Sequence, residues 1–313
     1  MPTRITRYDS TQKELWDSFI SNAKNSTFLF MRDYMDYHSD RFTDCSLLFW
    51  NKEKLTAVLP ANINNEALVS HSGLTYGGII ISTETRAADM IEMFTALHSY
   101  IKECLGVTKF IYKPLPYIYC SIPSEEPLYA LFRAGAQITA RAISTTIDNN
   151  CPIGFSTLRK RGIKKANSHG VICAQSDDFC SFWKILENVL ESRHNCSPVH
   201  SIEEIELLHK RFPENIRLFT ATIEDSIEAG IVVYETSQVA HFQYIAASSV
   251  GKSTGALDAL VAHLTEKVYK EKRYIDFGIS TEDGGTFLNE GLIAQKEGFG
   301  GRAIVYDTYE ITY

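Results

Sequence analysis

The stretch Tyr274-Ile275-Asp276-Phe277-Gly278 is short, apolar and closed by glycine, the pattern of a buried strand that stops at a turn. Just upstream, Leu257, Leu260, Val261, Leu264 and Val268 recur at helical spacing and predict a long helix over 255–271. Just downstream, a short helix is expected over Glu290–Glu297 and a last strand over 303–311. Further upstream, 216–223 and 229–234 read as two arms of a hairpin, and 239–246 as a third strand. A helix over 177–193 precedes them, with Phe179, Phe182, Trp183, Leu186 and Leu190 on one face.

The same order occurs once before. A strand at 4–9 and a helix at 11–25, carrying Leu15, Trp16, Phe19 and Ile20, open the first half. Hairpin strands at 46–50 and 55–60, a strand at 68–71 and a long helix at 85–105 follow. Then come a buried strand at 109–112, a short helix at 128–134 and a last strand at 138–147. Tyr274 answers to Lys109, a shift of about 165 residues that holds along the chain. This order mixes antiparallel hairpins with helical crossovers. It predicts an α/β chain with mixed sheets, not a doubly wound nucleotide fold. Two tandem domains are expected, 1–147 and 148–313, packed around a shared cleft.

The chain of 313 residues is long enough for two ordinary domains, and its 44% hydrophobic content can supply a core for each. The formal net charge of -7 argues against a surface built for DNA. Seven cysteines, an odd count without any C-x-x-C, read as reduced thiols, with no metal site expected. The N-terminal stretch Met1-Pro2-Thr3-Arg4 lacks a signal core, and no apolar run approaches a membrane span, so a cytoplasmic protein is expected.

Two stretches carry a resemblance. One is Thr157-Leu158-Arg159-Lys160-Arg161-Gly162-Ile163-Lys164-Lys165-Ala166, leading into His169-Gly170-Val171. The other is the strand ending in Asp276-Phe277-Gly278, followed by Gly291-Leu292-Ile293-Ala294-Gln295-Lys296-Glu297-Gly298-Phe299-Gly300. Together with the repeated element order they resemble the tandem GNAT acyltransferases of the FemAB-like kind, related to the Fem-type peptidyltransferases. Gln295 stands where that family usually has an aromatic residue. The segment 194–215 is too short for the coiled-coil insertion of many members that use aminoacyl-tRNA.

The resemblance implies transfer of an acyl group from acyl-CoA, acetyl-CoA first among donors, to an amine of a small-molecule or cell-envelope precursor. The alternatives are an aminoacyl-tRNA donor acting on a peptidoglycan precursor, with tRNA less favoured by the acidic balance, and a non-catalytic binding protein. The family's donor site falls on Val250, Gly251, Lys252, Ser253 and Gly255. Read as a glycine-bearing loop before a helix, that stretch offers free N–H groups to a phosphate. The plainer reading is a helix start capped by Ser253 or Thr254. A relaxed P-loop match at the same place lacks the first glycine, where Ala246 stands.

The resemblance also puts Lys296 on a functional lysine, where an ammonium would stabilise negative charge on the reacting carbonyl oxygen. Asp276, Tyr244 and Glu290 are candidates for handling protons. His241 lies three residues from Tyr244, which under strict alternation puts the two on opposite strand faces. Arg159, Arg161 and Lys165 are candidates for gripping an anionic substrate, with a solvated helix face as the plain alternative. In the first half, His71 and Tyr76 lie in a glycine-rich stretch, Ser70-His71-Ser72-Gly73-Leu74-Thr75-Tyr76-Gly77-Gly78, expected to form an acceptor wall.

Overall fold

The computed structural model describes residues 3–194 and 196–313; Met1, Pro2 and Asn195 lie outside it. Two compact units divide the chain. The first is Met1–Ala142 with Thr281–Phe287 and Val305–Tyr313, and the second is Ile143–Ser280 with Leu288–Ile304. A single cut at 147/148 does not describe these units. Two C-terminal segments return to the first one, and strand pairing of that kind is non-local.

The chain runs β1 (Arg4–Arg7), α1 (Lys13–Asn22), α2 (Arg32–Met35), β2 (Thr43–Asp44), β3 (Leu47–Asn51), β4 (Lys54–Leu59), β5 (Asn62–Asn64), β6 (Ala67–Val69) and β7 (Ile80–Ile81). Then follow α3 (Ala87–Tyr100), β8 (Lys109–Tyr112), α4 (Glu126–Arg133) and β9 (Gln137–Asp148). The later elements are α5 (Thr157–Ser168), β10 (Ile172–Ser176), α6 (Phe179–His194), α7 (Ile202–Arg211), β11 (Ile216–Ile223), β12 (Ser226–Glu235) and β13 (Val239–Ala247). Last come α8 (Ser249–Thr254), α9 (Ala256–His263), β14 (Tyr274–Ile279), β15 (Thr281–Glu282), β16 (Phe287–Leu288), α10 (Glu290–Glu297) and β17 (Arg302–Thr312).

In the first unit, β1, β3, β4 and β7 form one antiparallel sheet. The end of β17 pairs antiparallel with β8. β8 in turn pairs parallel with β6 at Ala67↔Lys109, Leu68↔Phe110 and Val69↔Ile111. The core joins Leu47, Phe49, Ala57 and Leu59 to Met90, Phe94 and Leu97 of α3 and to Phe110 and Tyr112 of β8. α1 turns Trp16 and Ile20 inward, while Leu15 stays exposed. Trp16 also donates its Nε1–H to Phe30 O at 2.8 Å.

In the second unit the strand order is β10-β11-β12-β13-β14-β9. β10 through β13 are joined antiparallel. β13 and β14 run parallel and pair at only three positions, Val239↔Tyr274, Ala240↔Ile275 and His241↔Asp276. The mixed sheet is not the parallel sheet that a P-loop nucleates. The stripe expected on the long helix splits. Leu260, Val261 and Leu264 enter the core with Phe219, Ile231, Phe242, Phe277 and Phe299, whereas Val268 remains exposed. α6 buries Phe179, Phe182, Trp183 and Leu186 as its periodicity predicts. α7 falls in the segment 194–215, and Ser201 and Glu204 close its N-terminus with a capping box.

Both long helices end alike. A π-helical turn, Ile101–Leu105 after α3 and Leu264–Val268 after α9, leads in each unit to the strand of the parallel pair. Among the described residues no helix is long and apolar enough to cross a membrane.

Candidate active site

The second unit concentrates its buried polar groups where β13 and β14 part. Asp276 is fully buried on β14, and its neighbours Ile275 and Phe277 point to the opposite side, into the core. Ser144 and Thr146, two apart on β9 and so on one face, donate their hydroxyls to Asp276 Oδ1 at 2.5 and 2.9 Å. His241 on β13 places Nδ1 2.8 Å from Asp276 Oδ2. A carboxylate taken out of water is costly unless its lone pairs are met, and here three side chains meet them.

Lys296 approaches the same junction from the last turn of α10. Its Nζ donates to Gly278 O at 2.9 Å and to Ile279 O at 2.7 Å. Gly278 follows the Asp-Phe pair with a φ of 74°, a left-handed turn that glycine adopts without strain. A side chain grown from it would lie 3.5 Å from His241 Cε1, so the imidazole sits against this turn. Burial pulls the Lys296 ammonium down to about 8, while the charge of Asp276 opposes the shift. A buried carboxylate, an imidazole and an ammonium of reduced basicity are thus gathered around one three-residue turn. Such a set can move a proton and can stabilise negative charge.

A bulge changes the relation between His241 and Tyr244. The register between β12 and β13 shifts, so that Val233 faces Phe242 and Val232 faces Tyr244, leaving Gln243 extra. Ala240, Phe242 and Ala247 pack into the core with α9. Tyr244 points the other way, its ring 5.1 Å from that of Trp183 on α6. His241 and Tyr244 therefore share a face, which corrects the expectation from strict alternation. Tyr244 spends its hydroxyl on His200, with Nδ1 at 2.5 Å and the backbone N–H at 3.3 Å.

The other expected site residues fall differently. Glu290 is the exposed first residue of α10. The stretch expected as a glycine-bearing loop is helical: Val250, Gly251, Lys252 and Ser253 lie in α8, and Gly255, at φ 82°, breaks α8 from α9. The cap is Ser248, whose Oγ accepts from Gly251 N at 2.9 Å and is also bonded to Glu228. Ser253 and Thr254 instead send their hydroxyls back to Val250 O. Arg159 is committed to Asp258 at 2.6 Å, with its guanidinium over the Phe299 ring. Arg161 and Lys165 are exposed on α5, together with Lys160 and Lys164.

In the first unit, His71 and Tyr76 are buried, not an open wall. Tyr76 packs against Phe30 and Tyr119. His71 adopts a φ of 65°, stands 5.4 Å from the His38 ring, and is pushed down to about 3 by burial and by His38. Among the described residues no group of three or more His, Cys, Asp or Glu is placed to hold a metal.

Residues 157–284 match the family model described as an acetyltransferase (GNAT) domain. No curated protein matches the sequence. Among solved structures, FemX is similar with a TM-score of 0.68 at 9% identity, over 99% of this chain and 97% of that one. The C-terminal domain of a putative lysylphosphatidylglycerol synthetase from Agrobacterium fabrum gives 0.60 at 10% identity, over 96% and 91%. A tandem GNAT protein from the clavulanic acid biosynthesis pathway gives 0.52 at 11% identity, over 99% and 98%. The matched domain contains β13, Asp276 and the turn at Gly278, and the likenesses run the length of the chain: it has a tandem GNAT fold of the Fem-like kind.

Proposed function

We propose that this protein is an N-acyltransferase that moves an acyl group from acyl-CoA, acetyl-CoA first among donors, to an amine of a small-molecule or envelope precursor. One observation carries the reading. β13 and β14 pair at three positions and then separate inside the segment that matches an acetyltransferase domain, with Asp276 at that parting and Lys296 reaching it from α10, beyond that segment. A strand gap of this kind exposes backbone groups that an extended acyl carrier can pair with. In this reading Lys296 stabilises the oxyanion, and the second unit holds the donor. Isothermal titration with acetyl-CoA tests it. Saturable heat and a thermal shift are expected; neither at millimolar ligand would overturn the donor assignment.

A second reading keeps the fold and changes the donor to aminoacyl-tRNA. The likeness to FemX and the exposed basic face of α5, with Lys160, Arg161, Lys164 and Lys165, favour it. Binding would then weaken steeply with salt. A gel shift with charged tRNA at low and high salt separates the two donors.

A further inference from the structure

We infer that His241 is the general base of this site, with Asp276 as the residue that positions it and fixes its tautomer. The inference rests on the acyl-transfer reading and adds the group that handles the proton. An ionised carboxylate only accepts hydrogen bonds. Asp276 Oδ1 already accepts from Ser144 and Thr146, and Oδ2 lies 2.8 Å from His241 Nδ1. The contact therefore requires Nδ1 to carry a proton, which leaves Nε2 as the basic atom of the neutral ring. His241 lies between Ala240 and Phe242, which enter the core, and so faces away from it, at the last position where the two strands pair.

The chemistry balances without a further reactant. The lone pair of a neutral amine forms the C–N bond at the thioester carbonyl carbon. The carbonyl electrons move to oxygen, Nε2 of His241 removes one proton from the new ammonium nitrogen, and collapse breaks the C–S bond with its pair going to sulfur. The imidazolium then returns that proton to the thiolate. The products are an amide and the free thiol of CoA. A positioned base of this kind contributes about 10²–10⁴ in rate.

Two measurements decide the inference. In the wild-type chain labelled with ¹⁵N-histidine, the neutral His241 ring should be protonated on Nδ1, against the usual preference for Nε2; a neutral ring protonated on Nε2 would overturn the assignment. His241→Gln identifies the signal by its loss, and His241→Asn does so if the glutamine variant does not fold. The second measurement follows thiol release from acetyl-CoA with ethanolamine, lysine and glucosamine as acceptor probes. His241→Gln should lower the wild-type rate by at least about 100-fold with acetyl-CoA affinity unchanged. Wild-type turnover in His241→Gln would overturn the base while leaving acyl transfer standing. A wild type that neither binds acetyl-CoA nor releases thiol would overturn the acyl-transfer reading itself, and the base with it.

Discussion

Both units contain a parallel strand pair three positions long. In the first unit the third position joins Val69 to Ile111; in the second it joins His241 to Asp276. The approach is the same in both, a long helix ending in a π turn. The short helix after the pair buries Leu131 in one unit and Lys296 in the other. At these matching positions one unit places hydrocarbon and the other a carboxylate, an imidazole and an ammonium, while Ser70 and Lys113 bond to each other just beyond the pair in the first. The fold does not need the polar version, because the aliphatic one closes the same pairing. Burying Asp276 also carries a desolvation cost of several kcal/mol that Ser144, Thr146 and His241 have to offset. A group that the architecture can do without, held at such cost, is best explained by chemistry.

The largest effect should come from making the second junction resemble the first. His241→Val with Asp276→Ile, and with Ser144→Ala and Thr146→Val so that no hydroxyl is orphaned, should fold with stability near wild type. Well-packed hydrophobic replacements of buried charged groups are often neutral or better. Turnover should fall by about 10²–10⁴. Asp276→Ala alone should behave differently. It strips the acceptor from three donors and should cost about 3–5 kcal/mol in urea unfolding. A fourfold variant that keeps wild-type turnover would break the comparison.

The next effect concerns Lys296. Lys296→Met should lower turnover by about 10²–10³ and leave the fold intact, as the buried Leu131 does in the other unit. The wild-type rate should also fall as pH rises through about 8. The sign follows from the shift: burial lowers this ammonium from 10.5 to about 8, so it is charged below about 8 and loses its proton above it. A pH–rate profile of both proteins checks this, since the limb above about 8 should be absent from the methionine variant.

Much of this comparison was legible in the sequence, for physical reasons. Strands 109–112 and 216–223 and the helix over Glu290–Glu297 are found with the bounds expected. Their apolar periodicity is local and strong. Lys296 and Asp276 were recognisable through the resemblance of the stretches around them. The role of His241 was not, because its pairing with Asp276 depends on register, and its sharing a face with Tyr244 depends on one extra residue, Gln243; neither leaves a local trace. The stretch from Ser248 to Gly255 misled for the opposite reason. Glycine and serine favour turns, but Ser248 also caps helices, and here the cap won and extended helix to Thr254.

That stretch is also where the two long helices begin differently. α3 starts from Arg86 in extended backbone, whereas α9 starts from Gly255 at φ 82°. A Cβ on Gly255 would meet Gly162 O of α5 at 2.4 Å. Gly255→Ala should therefore destabilise the second unit by about 2 kcal/mol, from left-handed strain and the contact with α5. Thermal unfolding of the variant measures this. An unchanged midpoint would mean that α5 can move away from α9, which would weaken the case for a fixed donor site there.

The smallest effect sets buried His71 against the half-buried His241. His241 keeps a carboxylate partner. His71, two residues beyond β6, has no hydrogen-bond partner for Nδ1 among the described residues and is pushed down to about 3. Its charged surroundings are His38, Lys113 and Arg32, which lower it, and Asp44, which raises it. Between pH 6.5 and about 3 the unfolded chain binds a proton at His71 that the folded chain refuses. Stability must then rise with pH across that window and fall on acidification. The loss should be on the order of 1 kcal/mol by pH 5.5. His71→Asn keeps a residue that tolerates the left-handed φ of 65° and removes the titration. Urea unfolding from pH 7 to 5 should give a flatter dependence for the variant than for wild type. Equal slopes would mean that the proton is taken up without cost, and that His71 and His241 are held on more similar terms than the hydrogen bonds indicate.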